Sequence, residues 1–349
     1  FYYKGQAFKG KLVVPDHLLE DQSHCYDRIA IENILKDVQN ETAATVINVN
    51  SQEKKNKPPK PFSQNTLAQY CNLHHGMMPD ETLAACQSLY EAGYVSYPRV
   101  EVEIYETDVL NKAPEILAGV SKVGQFFKDA VARTKLSNAQ PVFSDQEVDG
   151  HSAIFCTSLA PTFKDLKQQE QFVYQAIAMR FVAQFSDDFV TAQSNMMLKV
   201  NKSTFIAESN SIISLGWAAL FPREDNSSEP LPSIESGSIC DINEIALLSR
   251  NTKAPPRLTV DTFLSILRDC TNLLSPKIAA RVGKGQLGTG ATQPSILKTL
   301  ESQKAIQIVD KKFVIPTKTG KNLRELLPDL IASVDLSSIW ELNFRQIRA

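Results

Sequence analysis

Residues 80–101 read DETLAACQSLYEAGYVSYPRVE, a helical pattern that runs into an extended one. Apolar residues recur in it at three- and four-residue spacing, which predicts an amphipathic helix over residues 80–92. Acidic residues in the first turn favour this start, because carboxylates complement the exposed N–H groups there. Gly93 stands where helices usually end, and Pro98 disfavours helix for the residue before it. The helix is therefore expected to lead into a short extended segment.

The extended segment carries two side chains of interest, Tyr97 and Arg99. They are two residues apart, so on extended backbone they point to the same side. A phenol is a nucleophile, and a guanidinium offers a fork of donors that matches phosphate oxygens, so the pair suits attack on a phosphodiester. On these two residues alone, the favoured interpretation is a half-buried strand aromatic beside a surface charge.

Three blocks of sequence resemble the type IA DNA topoisomerases, in particular the topoisomerase III branch. The first is LYEAGYVSYPR (89–99), which follows KPPKPF (57–62) and SQNTLAQY (63–70). The second is GHSAIFCTS (150–158), and the third is GQLGTGATQPSILKTLESQKAI (285–306). The blocks occur in the family's order, and this order makes the resemblance specific.

The resemblance implies a reaction in which Tyr97 attacks single-stranded DNA, forms a transient 5′-phosphotyrosine link and then religates the strand. It assigns Arg99 as the residue that stabilises the phosphate and His151 as a contact to the scissile phosphate. A structural histidine capping a turn is the alternative for His151. After the arginine the family usually has Thr-Asp, whereas this chain has Val100 and Glu101, which leaves the role of that carboxylate open.

The resemblance also implies that the third block contacts single-stranded DNA, through Thr289, Thr292 and Ser295. Glycines let the backbone approach phosphate closely, and a helix N-terminus offers free N–H groups. A glycine hinge followed by ordinary helix caps is the alternative interpretation. Three basic residues upstream are expected to add nonspecific, salt-dependent attraction to phosphates: Lys277, Arg281 and Lys284.

Two Pro-rich stretches divide the chain, NKPPKPF at 56–62 and APPRL at 254–258. Strand-like patterns flank a mainly helical stretch between them, as in the family's plan. We expect an α+β multidomain fold of three parts: a discontinuous sheet-based gate domain over 1–62 and 189–254, an inserted mainly helical domain with the catalytic tyrosine over 63–188, and a helical, winged-helix-like domain that guides single-stranded DNA over 255–349.

Periodicity predicts the individual elements. Helices are expected at 24–38, 64–74, 80–92, 105–117, 121–134, 167–186, 261–270, 294–302 and 320–327. Strands are expected as a pair within 1–20 and at 45–50, 191–200, 203–208 and 239–249, with a hairpin at 306–315. Ser63 or Asn65 is predicted to cap the helix at 64–74.

Composition is that of a soluble globular protein, with 43% apolar and 22% charged residues among 349. The sequence has neither an apolar run of eighteen residues nor a signal peptide, so no membrane partner is expected. Its six cysteines form no CxxC pair, which favours a reducing, cytoplasmic setting. Residues 253–349 hold 15 Lys and Arg against 8 Asp and Glu, a net of +7, while residues 1–252 hold 22 against 31, a net of −9. The basic third favours a nucleic-acid partner, with an unevenly charged surface as the alternative.

Type IA enzymes also carry an N-terminal toprim domain that binds Mg²⁺ through acidic residues. This sequence has no DxD cluster and starts at Phe1, so we expect a fragment without that domain and with no metal of its own. Tyrosine recombinases require HxxR and relaxases require HxH, and neither pattern occurs in the sequence. A DNA-binding gate fragment without chemistry of its own is the remaining alternative.

Overall fold

The computed structural model of the protein describes residues 1–20, 24–145, 151–223, 227–251, 253–283, 285–288 and 292–348. The chain forms two compact units. The first combines Phe1–Lys57 with Asp188–Ala254, and the second combines Pro58–Asp187 with Pro255–Ala349.

The first unit is built on an antiparallel sheet. Its elements are β1 (Tyr2–Tyr3), β2 (Gln6–Ala7), β3 (Lys11–Leu12), α1 (Arg28–Val38), β4 (Ala43–Asn56), β5 (Phe189–Val200), β6 (Ser203–Ser214) and β7 (Ile239–Asp241). Short 3₁₀ turns lie at Asp16–Leu18 and Gly216–Leu220. Among the residues that the structure describes, the seven strands form one sheet in the order β2-β1-β7-β4-β5-β6-β3.

One face of this sheet forms the core of the first unit. Met196, Leu198 and Val200 on β5 are buried at alternate positions, as expected for a strand with one face inside. Val46 on β4 and Val38 of α1 join the same cluster. The core therefore lies where the three long strands meet the end of α1.

Three strand predictions were wrong in extent. The strand predicted at 203–208 continues as β6 to Ser214, because its backbone pairs with β5 as far as Ser214 opposite Val190. The run predicted at 45–50 continues as β4 to Asn56, because its backbone pairs with β5 as far as Asn56 opposite Phe189. Backbone pairing does not depend on side-chain hydropathy, so the polar and charged side chains of this stretch do not end the strand. The strand predicted at 239–249 ends at Asp241, where its pairing with β1 and β4 also ends.

The second unit is mainly helical. Its elements are α2 (Gln64–His75), α3 (Pro79–Glu91), α4 (Thr107–Ser121), α5 (Gln125–Ala132), α6 (Gln168–Ala183), α7 (Val260–Arg268), α8 (Pro276–Val282), α9 (Gln293–Ser302), β8 (Ile306–Val309), β9 (Phe313–Pro316), α10 (Lys318–Leu326), α11 (Asp329–Ala332) and α12 (Val334–Arg348). Short 3₁₀ turns lie at Leu136–Asn138, Phe163–Asp165 and Thr271–Leu273. Ser63 caps α2, with its hydroxyl accepting from the Thr66 N–H.

Helix α6 is the central helix of this unit. Its residues Val173, Ile177 and Phe181 have no exposed surface, and α2 and α3 both pack against it. A second apolar cluster joins α7, α9 and the hairpin β8–β9. It includes Leu264 of α7, Leu297 of α9 and Val314 of β9. The predicted order of helix, helix and two-stranded hairpin is confirmed, while α8, α11 and α12 were not predicted. Among the described residues, no helix has the length and apolar composition needed to cross a membrane.

Candidate active site

Helix α3 fixes where the tyrosine segment begins. At its start the Glu81 carboxylate accepts from the Met78 N–H at 2.7 Å. At its end the Gly93 N–H donates to the Tyr90 carbonyl and the Tyr94 N–H to the Leu89 carbonyl, both at 2.9 Å. This pattern is a Schellman motif, and the left-handed φ of +77° at Gly93 explains the glycine there. The predicted helix end is confirmed.

The extended segment after α3 pairs with the second sequence block. The Ser96 N–H donates to the Phe155 carbonyl at 2.9 Å, and the Thr157 N–H donates to the Tyr94 carbonyl at 3.0 Å. The Ser96 hydroxyl in turn accepts from the Phe155 N–H at 3.0 Å. Two blocks about sixty residues apart thus lie side by side, in an antiparallel bridge.

This pairing brings His151 to Tyr97. The two ring centroids are 5.5 Å apart, with the ring planes tilted by 35°. The Tyr90 ring meets Tyr97 edge-on from another side, at 5.6 Å. Tyr97 keeps 38% of its surface exposed, so the phenol lies at the surface and not in the core.

Arg99 lies on the same exposed face of the segment as Tyr97. Pro98 and Val100, the residues on either side of it, are buried, while Arg99 itself is exposed. Among the described residues Arg99 makes no hydrogen bond or ion pair, so its guanidinium remains open to solvent. The structure therefore brings Tyr97 and His151 into contact and places Arg99 beside them, without a direct contact of its own.

The segment that carries His151 is held from two sides. The Ala153 N–H donates to the Ile104 carbonyl at 2.8 Å, and the Ile154 N–H donates to the Phe62 carbonyl at 2.9 Å. Ala153 and Ile154 are almost fully buried, whereas His151 is exposed. The imidazole thus projects from a fixed segment.

Two other tyrosines of this unit, Tyr105 and Tyr174, have their phenols in the core. Burial raises the pKa of Tyr105 and Tyr174 far above the ordinary range for phenols. Burial likewise raises the pKa of the Cys156 thiol beneath the paired segments. None of these three groups is suited to act as a nucleophile, because each would have to ionise away from water.

A half-buried arginine, which the sequence did not indicate, supports the site through Phe62. Arg180 of α6 stacks on the Phe62 ring at 3.9 Å and donates from Nη1 to the Lys60 carbonyl at 2.7 Å. Burial lowers the pKa of its guanidinium to about 10. Arg180 therefore supports the segment at Phe62 that holds the histidine strand.

A polar cavity of about 240 Å³ lies along the chain just after Arg99. Its walls include Glu101 and Glu103, with Gln286 and Gln293 of the third block. Arg268 of α7 also lines it and forms an ion pair with Glu103. Sequence reasoning missed this cavity because its walls come from stretches far apart in the sequence, and nothing local predicts that these stretches meet.

The residues predicted to bind DNA lie on two helices of the second unit. Thr292 and Ser295 are exposed at the start of α9, and the Ser295 hydroxyl donates to the Thr292 carbonyl at 2.7 Å. Lys277 and Arg281 are exposed one turn apart on α8. Lys284 and Thr289 lie outside the described residues. Within the described part of the chain, this hydrogen bond of Ser295 stays at the start of α9 and does not reach the tyrosine site.

Within the same described residues, no three His, Cys, Asp or Glu side chains are grouped so that they could hold a metal ion. The acidic residues at the polar cavity do not change this, since Glu103 is paired with Arg268.

The fold is similar to that of full-length topoisomerase I from Thermotoga maritima. The match has a TM-score of 0.68 and covers 96% of this chain and 52% of that one, at 19% sequence identity. It defines a mixed α/β fold with an antiparallel sheet. The DNA topoisomerase family profile matches residues 3–349. The chain therefore belongs to the type IA DNA topoisomerase family, and the resemblance seen in the three blocks is confirmed.

Individual relatives agree with this assignment. DNA topoisomerase 3 of Vibrio cholerae is 26% identical over 94% of this chain and 51% of its own length. DNA topoisomerase 3 of Bacillus cereus strain ATCC 14579 is 28% identical over 93% of this chain and 46% of its own length. DNA topoisomerase 1 of Alkalihalophilus pseudofirmus is 26% identical over 100% of this chain and 49% of its own length. The chain spans about half the length of the curated relatives it matches.

Proposed function

We propose that this chain takes part in ATP-independent DNA strand passage, with Tyr97 as the residue that becomes linked to the DNA. Family membership supports a role in changing DNA topology. The observation that carries the proposal is the exposed Tyr97 ring in contact with the His151 ring at 5.5 Å, beside the open guanidinium of Arg99. Catalytic groups from two distant stretches thus meet at the surface, where a strand of DNA can reach them.

The proposed step is a transesterification. The Tyr97 oxygen forms a bond to phosphorus, and the bond from phosphorus to the 3′ oxygen of the neighbouring deoxyribose breaks. The phenol gives up its proton, and the released 3′ oxygen takes one up. The 5′-phosphotyrosine preserves a phosphodiester linkage, so the reverse attack by the 3′ hydroxyl reseals the strand without ATP.

Arg99 and His151 assist this step. A phenol is mostly protonated at neutral pH, so attack depends on groups that accept its proton or stabilise the charge that develops. Arg99 offers two parallel donors to the nonbridging phosphate oxygens. His151 contacts the scissile phosphate, and its ring, which lies against that of Tyr97, helps to orient the phenol.

The substrate in this proposal is single-stranded DNA, held by α8 and α9. Thr292 and Ser295 lie at a helix N-terminus, where free N–H groups attract phosphate. Ser295 contributes when its hydroxyl turns away from the Thr292 carbonyl. Lys277 and Arg281 add nonspecific attraction. Thr289 and Lys284 keep the same predicted role.

The proposal includes Mg²⁺ in the intact enzyme, held by a toprim domain. The described residues of this chain do not fit the ion, because a magnesium site needs a cluster of oxygen ligands. No step above depends on the metal, and the roles of Tyr97, Arg99 and His151 are derived from their own chemistry.

The experiment is covalent capture. The chain is mixed with a supplied toprim domain, Mg²⁺ and a labelled single-stranded oligonucleotide, and adducts are separated on a denaturing gel. Tyr97→Phe should abolish the adduct because it removes the attacking oxygen. Tyr90→Phe is the matched control, since Tyr90 is similarly exposed at 40% and packs on the same ring. An adduct that survives in Tyr97→Phe refutes the assignment.

The second candidate is a DNA-binding gate fragment without chemistry of its own. The observation that favours it is that the chain covers only about half of each relative. In that case the unmodified chain retains the oligonucleotide in a native binding assay and forms no adduct with the toprim domain present.

A further inference from the structure

Two buried amide side chains, Asn65 and Gln293, face each other across the second unit. Their exposed fractions are 3% and 0%, and Asn65 Nδ2 donates to Gln293 Oε1. Because Ser63 caps α2, the Asn65 side chain is not used as a cap and is available for this contact. Amides buried this deeply require partners, so the pair is a built contact and not a chance approach of two surface side chains.

The other end of Gln293 holds the glycine loop. Its Nε2 donates to the carbonyls of Leu287 and Gly288, at 3.2 and 3.3 Å. The loop also packs tightly on α9, since a Cβ at Gly288 would lie 2.8 Å from the Thr292 hydroxyl and 2.9 Å from Ile296. One amide therefore holds the described loop residues 285–288 in place beside the start of α9.

Asn65 lies beside residues that hold the tyrosine site. The neighbouring Gln64 N–H donates to the Val100 carbonyl at 2.9 Å, one residue after Arg99. Phe62 accepts from the Ile154 N–H, three residues after His151. The backbone of residues 62–65 is thus hydrogen-bonded to the tyrosine segment and to the histidine segment. The Asn65–Gln293 contact connects this stretch to the glycine loop.

We propose that Asn65 and Gln293 are positioning residues, which set the glycine loop and the start of α9 at a fixed place relative to the Tyr97 segment. This inference rests on the proposed function. A strand held at α9 is then presented to Tyr97 with its phosphate in register for attack. Neither amide touches the reacting atoms, and both act through the backbone that they hold. Misplacement by about 1 Å typically costs on the order of 100-fold in rate, so loss of the pair should slow the reaction more than it weakens binding.

The first measurement is amide hydrogen exchange of the 349-residue chain, which needs no activity. Gln293→Leu and Asn65→Leu should speed exchange in peptides that cover residues 285–288, because the loop loses its fixed partner. The matched control is Gln184→Leu, in which a fully buried amide that donates to the Pro59 and Arg180 carbonyls is removed elsewhere in the unit. The control should leave exchange of the loop unchanged.

The second measurement is the rate of adduct formation over a range of oligonucleotide concentrations, with the toprim domain supplied. Either leucine variant should lower the saturating rate by about 10- to 100-fold, with little change in the half-saturating concentration. Gln293→Glu keeps the size of the side chain and an acceptor for Asn65, but its carboxylate cannot donate to the Leu287 and Gly288 carbonyls. It should lower the saturating rate as the leucine variants do, which a purely structural loss of packing would not predict.

The two proposals fail differently. The positioning role is overturned, while adducts still form, if neither leucine variant changes hydrogen exchange of residues 285–288. It is also overturned if Gln184→Leu speeds exchange of this loop as much as the two leucine variants do. The positioning role is also overturned if the variants raise only the half-saturating oligonucleotide concentration and leave the saturating rate unchanged. If the unmodified chain forms no adduct at all, the proposed function fails, and the positioning role fails with it.

Discussion

At the scale of single residues, exposure separates Tyr97 from Tyr105 and Tyr174, and the contact with the His151 ring distinguishes it from the equally exposed Tyr90. Tyr105 and Tyr174 are both fully buried, and burial raises the pKa of each phenol. Tyr97 is exposed and sits against an imidazole. A phenol at this position can meet a phosphate without first opening the core, which supports the proposed role of Tyr97.

Arg99 gives a sharp test at this scale. Arg99→Ala should lower the single-turnover rate of adduct formation by about 10²- to 10³-fold, the usual cost of losing a transition-state donor. The rate of Arg99→Lys should lie between those of the unmodified chain and Arg99→Ala, because an ammonium keeps the charge but not the fork of two donors. Arg28→Lys, at an exposed arginine paired with Glu32 in the other unit, is the control. An unchanged rate in Arg99→Ala would remove Arg99 from the mechanism.

The grouping of Tyr97, Arg99 and His151 could be anticipated only through the resemblance. Periodicity predicts that Tyr97 and Arg99 share a side, because they are two apart on extended backbone. Nothing local predicts that His151 meets them, since the contact depends on hydrogen bonds between Ser96 and Phe155. The catalytic roles of all three remain predictions.

At the scale of elements, α3 is held at its start by an interaction that responds to pH. The Glu81 carboxylate accepts from Lys311 Nζ at 2.9 Å and from the Met78 N–H at 2.7 Å. The hydrogen bond from Lys311, more than that from Met78, lowers the pKa of Glu81 below its ordinary value. A lowered pKa in the folded state stabilises the fold above the unfolded pKa, and this contribution is lost as the pH falls through the folded pKa.

Glu81→Gln should therefore reduce the free energy of unfolding by about 1 kcal/mol at neutral pH, as for other helix-start interactions. The difference from the unmodified chain should begin to shrink as the pH falls below about 4.3, where the unfolded carboxylate becomes protonated, and should disappear below the lower pKa of the folded state. Chemical denaturation at a series of pH values measures this. Glu91→Gln, at the other end of α3, is the control, and a difference that persists at low pH would contradict the explanation.

Elements with local signals were predictable from the sequence. The helices α2, α3 and α6 have apolar periodicity, and caps such as Ser63 and Gly93 mark ends of the first two. The helix α8 has seven residues, too few for periodicity to show, and only Pro276 at its first position marks it. The polar end of β4 was missed because its strand conformation depends on pairing with β5, a nonlocal effect.

At the scale of the whole molecule, charge is unevenly divided, with a net of +7 over residues 253–349. Two of these charges, on Lys277 and Arg281, lie one turn apart on α8 and are exposed. If they contact phosphates, the affinity of the chain for single-stranded DNA should fall with salt. The plot of log affinity against log salt should become shallower by about 0.7 for each residue changed to Ala.

The measurement is fluorescence anisotropy with a labelled oligonucleotide at several salt concentrations. The control is Lys112→Ala, since Lys112 is equally exposed but paired with Asp108 on α4. A slope that stays the same in the Lys277→Ala, Arg281→Ala double variant would exclude α8 from the DNA contact.

The central claim is that Tyr97 becomes esterified to a 5′ phosphate of DNA, and peptide mass spectrometry tests it most directly. The covalent adduct formed with the toprim domain is digested with protease and nuclease, and the modified peptide is fragmented to locate the added nucleotide. The account predicts that the nucleotide is joined through its 5′ phosphate to Tyr97. A modification on any other residue, or a link through a 3′ phosphate, would contradict it.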